Sequence, residues 1–144
     1  MKIYISIPIS GRQVSKVKTE AARIAGELNA AGHEAVNPFE VSPEEGKAYS
    51  YYMGRDIEAL LECDAVYMAP GWRESMGCQL EHSTAEIYSI PIYDGAMPPS
   101  PFEKARELYD EAYEVFCTDR QNRICKAVMG TLEKIFGGKI KRGR

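Results

Sequence analysis

Two carboxylates occupy helix positions at which the sequence otherwise places apolar side chains. At 100° per residue, Glu81 falls within the apolar arc of a helix predicted over about 76–89, and Asp56 within that of a helix predicted over about 49–62. The first arc also contains Met76, Gly77, Cys78, Leu80, Thr84, Ala85, Ile87 and Tyr88. A buried carboxylate costs free energy unless it is paired, hydrogen-bonded or used in chemistry. Each acid therefore either borders the core and reaches solvent or a backbone donor, or it serves a ligand.

The residues that precede Glu81 favour a ligand. Ser75 is suited to cap the N-terminus of the predicted helix, and Gly77 lets a ligand approach the backbone closely. The N-terminus of a helix attracts anions because its first N–H groups are unpaired and the helix dipole is positive there. For Ser75, an ordinary N-cap is as good an interpretation as contact with a ligand.

The elements that must position these acids alternate along the chain. Strands are predicted at 2–7, 33–37, 64–69 and 90–93, and helices at 14–31, 49–62, 76–89, about 101–117 and 120–136, with a loop at 39–47. Alternating strands and helices predict an α/β fold with a parallel sheet wound in right-handed units. We expect a flavodoxin/Rossmann-like sheet of about four or five strands in the order 2-1-3-4. Helices flank this sheet, and two extra helices follow it.

In that strand order the sheet changes direction between its first and third strands. Ligands of open parallel sheets bind there, at the carboxyl ends of the strands. The predicted loops at 8–12 and 70–77 meet at this point. Together with the first strand, they give a set of candidate binding residues: Tyr4, Ser6, Pro8, Ser10, Gly11, Arg12, Trp72, Ser75 and Gly77.

The sequence divides into three predicted segments. Residues 1–97 form the α/β domain, residues 98–138 form a helical extension packed on the same domain, and residues 139–144 form a basic tail. The extra helices have no place in a minimal sheet of this order. We expect them to cover an edge strand or to form a subunit interface.

Composition excludes several functional classes. The net charge is −3 although the tail holds four positive charges, so the rest of the chain lacks the basic face of a nucleic-acid binder. The four cysteines form no C-x-x-C pair and there are two histidines, so no metal site is expected. The G-x-G-x-x-G and G-x-x-x-x-G-K-[ST] motifs do not occur, so no nucleotide cofactor is expected.

The distribution of apolar residues along the chain predicts the cellular location. No apolar run approaches the roughly 18 residues of a membrane span, and the start of the chain does not read as a signal peptide. We therefore predict a cytoplasmic protein with reduced thiols and no membrane partner.

With these residues identified, the sequence resembles the nucleoside 2-deoxyribosyltransferase-like superfamily. This superfamily includes deoxynucleoside-5′-monophosphate N-glycohydrolases and many uncharacterised small domains. Three segments within about residues 3–93 carry the resemblance. They are YISIPISG at 4–11, which is similar to the opening strand and loop, RDIEALLECDAV at 55–66, which contains the internal acid Asp56, and SMGCQLEHSTA at 75–85, which has the pattern G-x-x-x-E-x-x-x-A.

The resemblance implies a chemical role for each acid. The family's glutamate that matches Glu81 is the nucleophile that attacks C1′ of a 2′-deoxynucleoside and displaces the base. The acid that matches Asp56 contacts the sugar and assists catalysis. The residues that match Ser75 and Gly77 line the sugar or phosphate pocket. A covalent carboxylate mechanism splits one difficult displacement into two easier steps. The resemblance also implies a homo-oligomer, because sites of this family are often completed across subunits.

The resemblance leaves open the roles of two aromatic residues. Trp72 either stacks on a base or covers the cleft, and Tyr4 either meets the ligand or packs within the sheet.

The first loop departs from the nucleotide-hydrolysing branch of this superfamily. Ile7 and Pro8 stand where a glycine and a serine are expected, although Ser10 and Arg12 could substitute as phosphate ligands. The expected function is therefore transfer or hydrolysis of an N-glycosidic bond of a deoxynucleoside or its 5′-monophosphate. The alternatives are a nucleotide- or sugar-binding module without turnover and an interaction domain that uses its C-terminal helices.

Overall fold

The computed structural model of the chain describes residues 1–118 and 122–137. The predicted basic tail at 139–144 and the start of the helix predicted at 120–136 lie outside these described residues. The elements in chain order are β1 (Lys2–Ser6), α1 (Val14–Ala30), β2 (Glu34–Val36), α2 (Pro38–Val41), α3 (Tyr49–Leu61), β3 (Ala65–Met68), a 3-10 turn (Trp72–Glu74), α4 (Met76–Ile87), β4 (Ile92–Asp94), α5 (Pro101–Thr118) and α6 (Arg123–Phe136).

The four strands form one parallel sheet in the order β2-β1-β3-β4. This confirms the predicted α/β class and strand order. The central strand β1 pairs with β2 and β3 on its two edges, for example through Tyr4 opposite Val36 and Val66.

The alternation of side chains along β1 sends the two faces of the sheet to different partners. Ile3 and Ile5 are fully buried in a cluster that contains the apolar face of α1. Tyr4 points to the other face, where it shares a cluster with Leu60 of α3 and Cys78 of α4. Ser6 follows Tyr4 by two residues and is also fully buried. The second face of β1 is therefore the one that carries hydroxyl groups.

Two predicted boundaries are wrong. The loop predicted at 39–47 contains α2, which begins because Asn37 caps it through a hydrogen bond from the Phe39 N–H (3.1 Å) and Pro38 stands at its first position. The last strand begins at Ile92 rather than Ile90. Residues 88–90 close the end of α4, where the Ile90 N–H donates to the Ala85 carbonyl (2.8 Å).

The orientation of α4 also differs from the helical-wheel prediction. Leu80 and Ile87, toward the Met76 edge of the predicted apolar arc, are 51% and 77% exposed, while Cys78, Glu81 and Ala85, toward its other edge, are buried. The predicted arc is wide, and the half of it that holds Glu81 is the part that meets the sheet.

The chain divides into two compact units, Met1–Pro98 and a second that begins at Pro99. Within the second unit, Ala105 and Tyr109 of α5 pack with Met129, Leu132 and Phe136 of α6. The packing of this extension on the α/β domain remains a prediction. Across residues 1–118 and 122–137, none of the helices has the length and apolar character needed to cross a bilayer.

Candidate active site

Glu81 lies at the base of a cleft, where α4 meets the central strand. The side chain is 5% exposed. The Tyr4 hydroxyl donates to Glu81 Oε1 (2.9 Å), and the Ser6 hydroxyl donates to Glu81 Oε2 (2.5 Å). Both carboxylate oxygens are therefore fixed by donors from one strand.

The local sequence explains why these three groups meet. Tyr4 and Ser6 are two residues apart on β1, so they project from the same face of the sheet. Helix α4 begins at Met76 after Ser75, whose hydroxyl accepts a hydrogen bond from the Cys78 N–H (3.4 Å). Glu81 follows this cap by six positions, on the buried side of the helix. The Ser75 side chain therefore acts as the ordinary N-cap, which was one of its two predicted roles.

Asp56 reaches the same cleft from α3. It is 8% exposed, and its Oδ1 atom is buried without a hydrogen-bond partner among the described residues. A buried acceptor without a partner is uncommon, because its desolvation is left uncompensated. Asp56 thus differs from Glu81, whose two oxygens are both hydrogen-bonded by the protein.

Burial changes the protonation of both acids. Removal from water raises the pKa of Glu81 from 4.5 to about 7, although the hydrogen bonds from Ser6 and Tyr4 act in the opposite direction. The same desolvation raises the pKa of Asp56 from 3.8 to about 6. Burial and the nearby charge of Glu81 hold the pKa of Tyr4 well above its usual range, so Tyr4 remains a hydrogen-bond donor.

A cavity of about 490 Å³, which we name the deep cavity, opens above the two acids. Its walls come from β1, the first loop, α1, the segment from α2 to Gly46, α3 and the start of α4. The lining residues are Tyr4, Ile7, Ile9, Ser10, Val14, Lys18, Pro38, Phe39, Ser42, Pro43, Glu44, Glu45, Gly46, Tyr49, Tyr52, Met53, Asp56, Ser75, Gly77, Cys78 and Glu81. Apolar and aromatic side chains provide most of the wall, which is typical of a small-molecule site, and the charged groups are four acids and Lys18.

A second cavity of about 750 Å³, the outer cavity, adjoins it and shares Ser10, Tyr49, Ser75 and Gly77. Its remaining lining residues are Pro8, Arg12, Glu20, Pro70, Gly71, Glu74 and Met76. The loops after β1 and β3 thus meet at the carboxyl edge of the sheet, as the strand order predicts.

Three of the candidate binding residues do not line either cavity. Ser6 is fully buried, and its hydroxyl donates to Glu81 Oε2. Gly11 has a φ of 76°, a conformation that favours glycine, and nothing lies within 4 Å of where its Cβ would be.

Trp72 is the third. It is buried in the cluster beneath α4, where its ring stacks on His82 (4.3 Å between centroids) and its Nε1 donates to Asp94 Oδ1 (2.8 Å).

Gly77 lines both cavities, and its neighbours supply a second reason for its small size. A Cβ at this position would lie 3.1 Å from the Tyr49 hydroxyl and 3.2 Å from Met53 Sδ, so glycine also permits close packing of α4 on α3.

The sequence did not identify the segment between β2 and α3 as part of the site. Phe39, Ser42, Glu44 and Glu45 line the deep cavity, and the Tyr52 hydroxyl attaches this segment to α3 by donating to the Glu44 carbonyl (2.8 Å). The predicted strand order contained the information needed to identify this segment. The second strand lies next to the first in the predicted order, so the segment that follows it also opens at the carboxyl edge.

Within the described ranges, no group of three or more histidine, cysteine, aspartate or glutamate side chains could hold a metal ion. The reactive groups that line the deep cavity are carboxylates, hydroxyls and the Cys78 thiol. A buried carboxylate with fixed oxygens can act as a nucleophile, while an unpaired carboxylate oxygen can accept a hydrogen bond from a ligand hydroxyl.

Comparison with known proteins covers the α/β part of the chain. No curated protein and no solved structure matches this sequence. A family model described as Domain of unknown function (DUF4406) matches residues 1–94, which run from β1 to the end of β4 and include every candidate site residue. The chain therefore belongs to the DUF4406 family.

Proposed function

We propose that this protein cleaves or transfers the N-glycosidic bond of a 2′-deoxynucleoside or its 5′-monophosphate, with Glu81 as nucleophile. The observation that carries the proposal is the double hydrogen bond that fixes the Glu81 carboxylate at the base of the deep cavity. Two donors from the central strand hold one rotamer and so lower the entropy lost when the carboxylate is placed for attack. The resemblance to the nucleoside 2-deoxyribosyltransferase-like superfamily supports the same role.

The reaction proceeds in two steps. A Glu81 oxygen forms a bond to C1′ as the C1′–N bond breaks, and the bonding electrons leave with the base, which takes up a proton from solvent. Water or the nitrogen of a second base then attacks C1′ and releases a proton to solvent, the ester bond to Glu81 breaks, and the carboxylate is restored. The anomeric configuration is retained because it is inverted twice.

Asp56 is suited to orient the sugar. Asp56 lines the same cavity, and its buried Oδ1 has no partner among the described residues, so a sugar hydroxyl that reaches it would satisfy this acceptor. A site that hydrogen-bonds a substrate hydroxyl strongly rejects analogues that lack it, because the buried group is then left unpaired.

The decisive experiment measures release of free base from deoxynucleosides, with and without an acceptor base, for the wild type and for Glu81→Ala. We expect turnover in the wild type and its loss in the variant. Intact-protein mass spectrometry of an acid-quenched reaction should detect a deoxyribosyl adduct only when Glu81 is present. Equal turnover by the two proteins excludes Glu81 as the nucleophile.

One observation favours the second candidate, a sugar- or nucleotide-binding module without turnover. With its pKa raised to about 7, Glu81 is partly protonated near neutral pH, and a protonated carboxyl is a poor nucleophile. Saturable binding of a deoxynucleoside without base release after long incubation at pH 8, where the carboxylate is ionised, would support this module.

A further inference from the structure

We propose that the ligand of this cleft carries no phosphate, so that the substrate is an uncharged nucleoside and not a nucleoside monophosphate. This inference rests on the function proposed above and specifies its substrate class. It follows from the charges that line the two cavities.

The deep cavity is strongly acidic. Glu44, Glu45, Asp56 and Glu81 all contribute to its wall, and Lys18 is the one cationic side chain among its lining residues. Lys18 is already engaged, because its Nζ lies 3.4 Å from Glu45 Oε1 and 5.7 Å from the centre of the Phe39 ring. The N-terminus of α4 offers backbone N–H groups, but that of Cys78 is already bonded to Ser75. A phosphate placed here would meet four carboxylates, with Lys18 shared with Glu45.

The outer cavity offers no better phosphate site. Its cationic lining residue is Arg12, whose guanidinium donates to Glu20 Oε2 (2.7 Å) and to the Pro8 carbonyl (3.1 Å). Glu74 adds a second acid to this wall. Arg12 is thus already paired in the position where it could have substituted for the phosphate ligands of the first loop.

The remaining polar groups suit a neutral ligand. Asp56 and Ser42 both line the deep cavity, and Asp56 Oδ1 and the Ser42 hydroxyl are buried with no hydrogen-bond partner among the described residues. Both can accept a hydrogen bond from a sugar hydroxyl or a base amino group. The surrounding wall, with Phe39, Tyr49 and Tyr52, provides apolar area for a flat base.

The test compares kcat/KM for a deoxynucleoside and its 5′-monophosphate at pH 8. We expect the unphosphorylated substrate to be preferred by about tenfold or more, since each 1.4 kcal/mol of repulsion is a factor of ten. A preference for the monophosphate overturns the inference and leaves the proposed function intact. If neither compound releases base, the proposed function fails, and calorimetric Kd values of the two compounds still decide the charge preference.

A matched pair of variants tests whether the pairing of Arg12 with Glu20 contributes to the preference for the unphosphorylated substrate. Glu20→Gln frees Arg12 and should reduce the preference by about threefold, the scale of one exposed ion pair. Glu27→Gln removes a comparable partner, that of Arg23, on the same helix and away from both cavities, and should leave the preference unchanged. An equal response of the two variants would contradict the assignment to Arg12.

A different observation, in the second unit, carries an independent inference. We infer that the α5–α6 hairpin associates with the same hairpin of a second copy of this chain. Each helix of the hairpin exposes an apolar stripe, formed by Leu108 and Val115 on α5 and by Ile124, Val128 and Ile135 on α6, of which Ile124 and Ile135 are 76% and 66% exposed. These positions lie on one side of each helix at helical spacing.

Charge complementarity selects a second copy as the occupant. Helix α5 contains five acidic and two basic residues, whereas α6 contains three basic and one acidic residue. Glu107 and Glu111 flank the stripe on α5, and Arg123 and Lys134 flank it on α6. In a two-fold arrangement α5 of one copy meets α6 of the other, so that apolar stripes and opposite charges are matched at both contacts.

The test uses the full chain in sedimentation velocity over a range of concentrations. We expect a dimer that Ile124→Glu plus Ile135→Glu dissociates. Glu107→Lys plus Glu111→Lys in one protein, and Arg123→Glu plus Lys134→Glu in another, should each weaken the dimer, and mixing the two should restore it. A wild type that is monomeric throughout, or a mixture that does not recover, overturns the inference and indicates that the stripe is covered within one chain.

Discussion

Glu81 and Asp56 are two buried acids of one cleft, and they differ in their hydrogen bonds to the protein. Glu81 receives hydrogen bonds on both oxygens from the central strand, whereas Asp56 Oδ1 has no partner among the described residues. Burial nevertheless raises both pKa values, to about 7 and about 6. Glu81 is thus held by the fold, whereas Asp56 Oδ1 has no donor among the described residues, as the proposed contact with a sugar hydroxyl requires. Four predictions test this distinction.

The largest expected effect is that of Asp56→Asn on catalysis. We expect kcat/KM to fall by about 100-fold, because an amide is a weaker acceptor for a sugar hydroxyl in a buried site. The loss should shrink for a substrate that lacks the hydroxyl bound by Asp56, and Glu58→Gln on the exposed side of α3 is the matched control. A loss that is equal for all substrates would instead indicate a general structural defect.

The second prediction concerns stability. The pKa of Glu81 is higher in the folded protein, about 7, than in the unfolded chain, near 4.5. The folded state therefore holds a proton that the unfolded state has lost between these values, and stability declines as pH rises through this window. Glu81→Gln removes that decline and should raise the free energy of unfolding by about 1–3 kcal/mol at pH 8.

Thermal unfolding measured at pH 4 and pH 8 checks this prediction. The variant should gain stability mainly at pH 8, and Asp56→Asn should show a smaller gain with a window that starts near pH 3.8 and ends near 6. If Glu81→Gln is destabilised equally at both pH values, its hydrogen bonds outweigh its desolvation.

The third prediction concerns Tyr4→Phe. The change removes the donor to Glu81 Oε1, which lowers the pKa of this carboxyl in the wild type, so the pKa should rise further. The rising limb of the pH–activity profile should therefore move from near pH 7 to higher pH. The rate of the variant should fall more near pH 7 than at the high-pH plateau, where Glu81 is ionised in both proteins. A limb that stays in place would show that another group controls ionisation.

The smallest expected effect is that of Gly77→Ala. The added methyl would meet the ends of the Tyr49 and Met53 side chains at 3.1 and 3.2 Å, and both line the deep cavity. We expect KM to rise by about two- to fivefold with little change in kcat, because binding space is lost without disturbing Glu81. Gly26→Ala on α1, where no atom lies within 4 Å of the new methyl, is the control.

The sequence predicted the sheet and the two acids because both depend on local periodicity. Alternating residues in β1 and the helical position of Asp56 are encoded over a few neighbouring residues. The predicted orientation of α4 was wrong because Leu80 and Ile87 are exposed although they are apolar. A helical wheel does not show which edge of a wide apolar arc packs against the sheet.

The wall of the site was harder to predict. Phe39, Ser42, Glu44 and Glu45 belong to it only because β2 lies beside β1, which is a tertiary fact. Likewise, Tyr4 and Ser6 were identified only as candidate binding residues, and the sequence did not predict that their hydroxyls donate to Glu81, a residue far along the chain.

Trp72 gives this protein a built-in optical reporter. It is the single tryptophan of the chain, and it contacts α4 through the stacked ring of His82 and β4 through Asp94. Its emission therefore arises from one defined environment directly beside the helix that carries Glu81. Because Trp72 lines neither cavity, its fluorescence reports the packing around α4, with no dye attached and no second tryptophan in the signal.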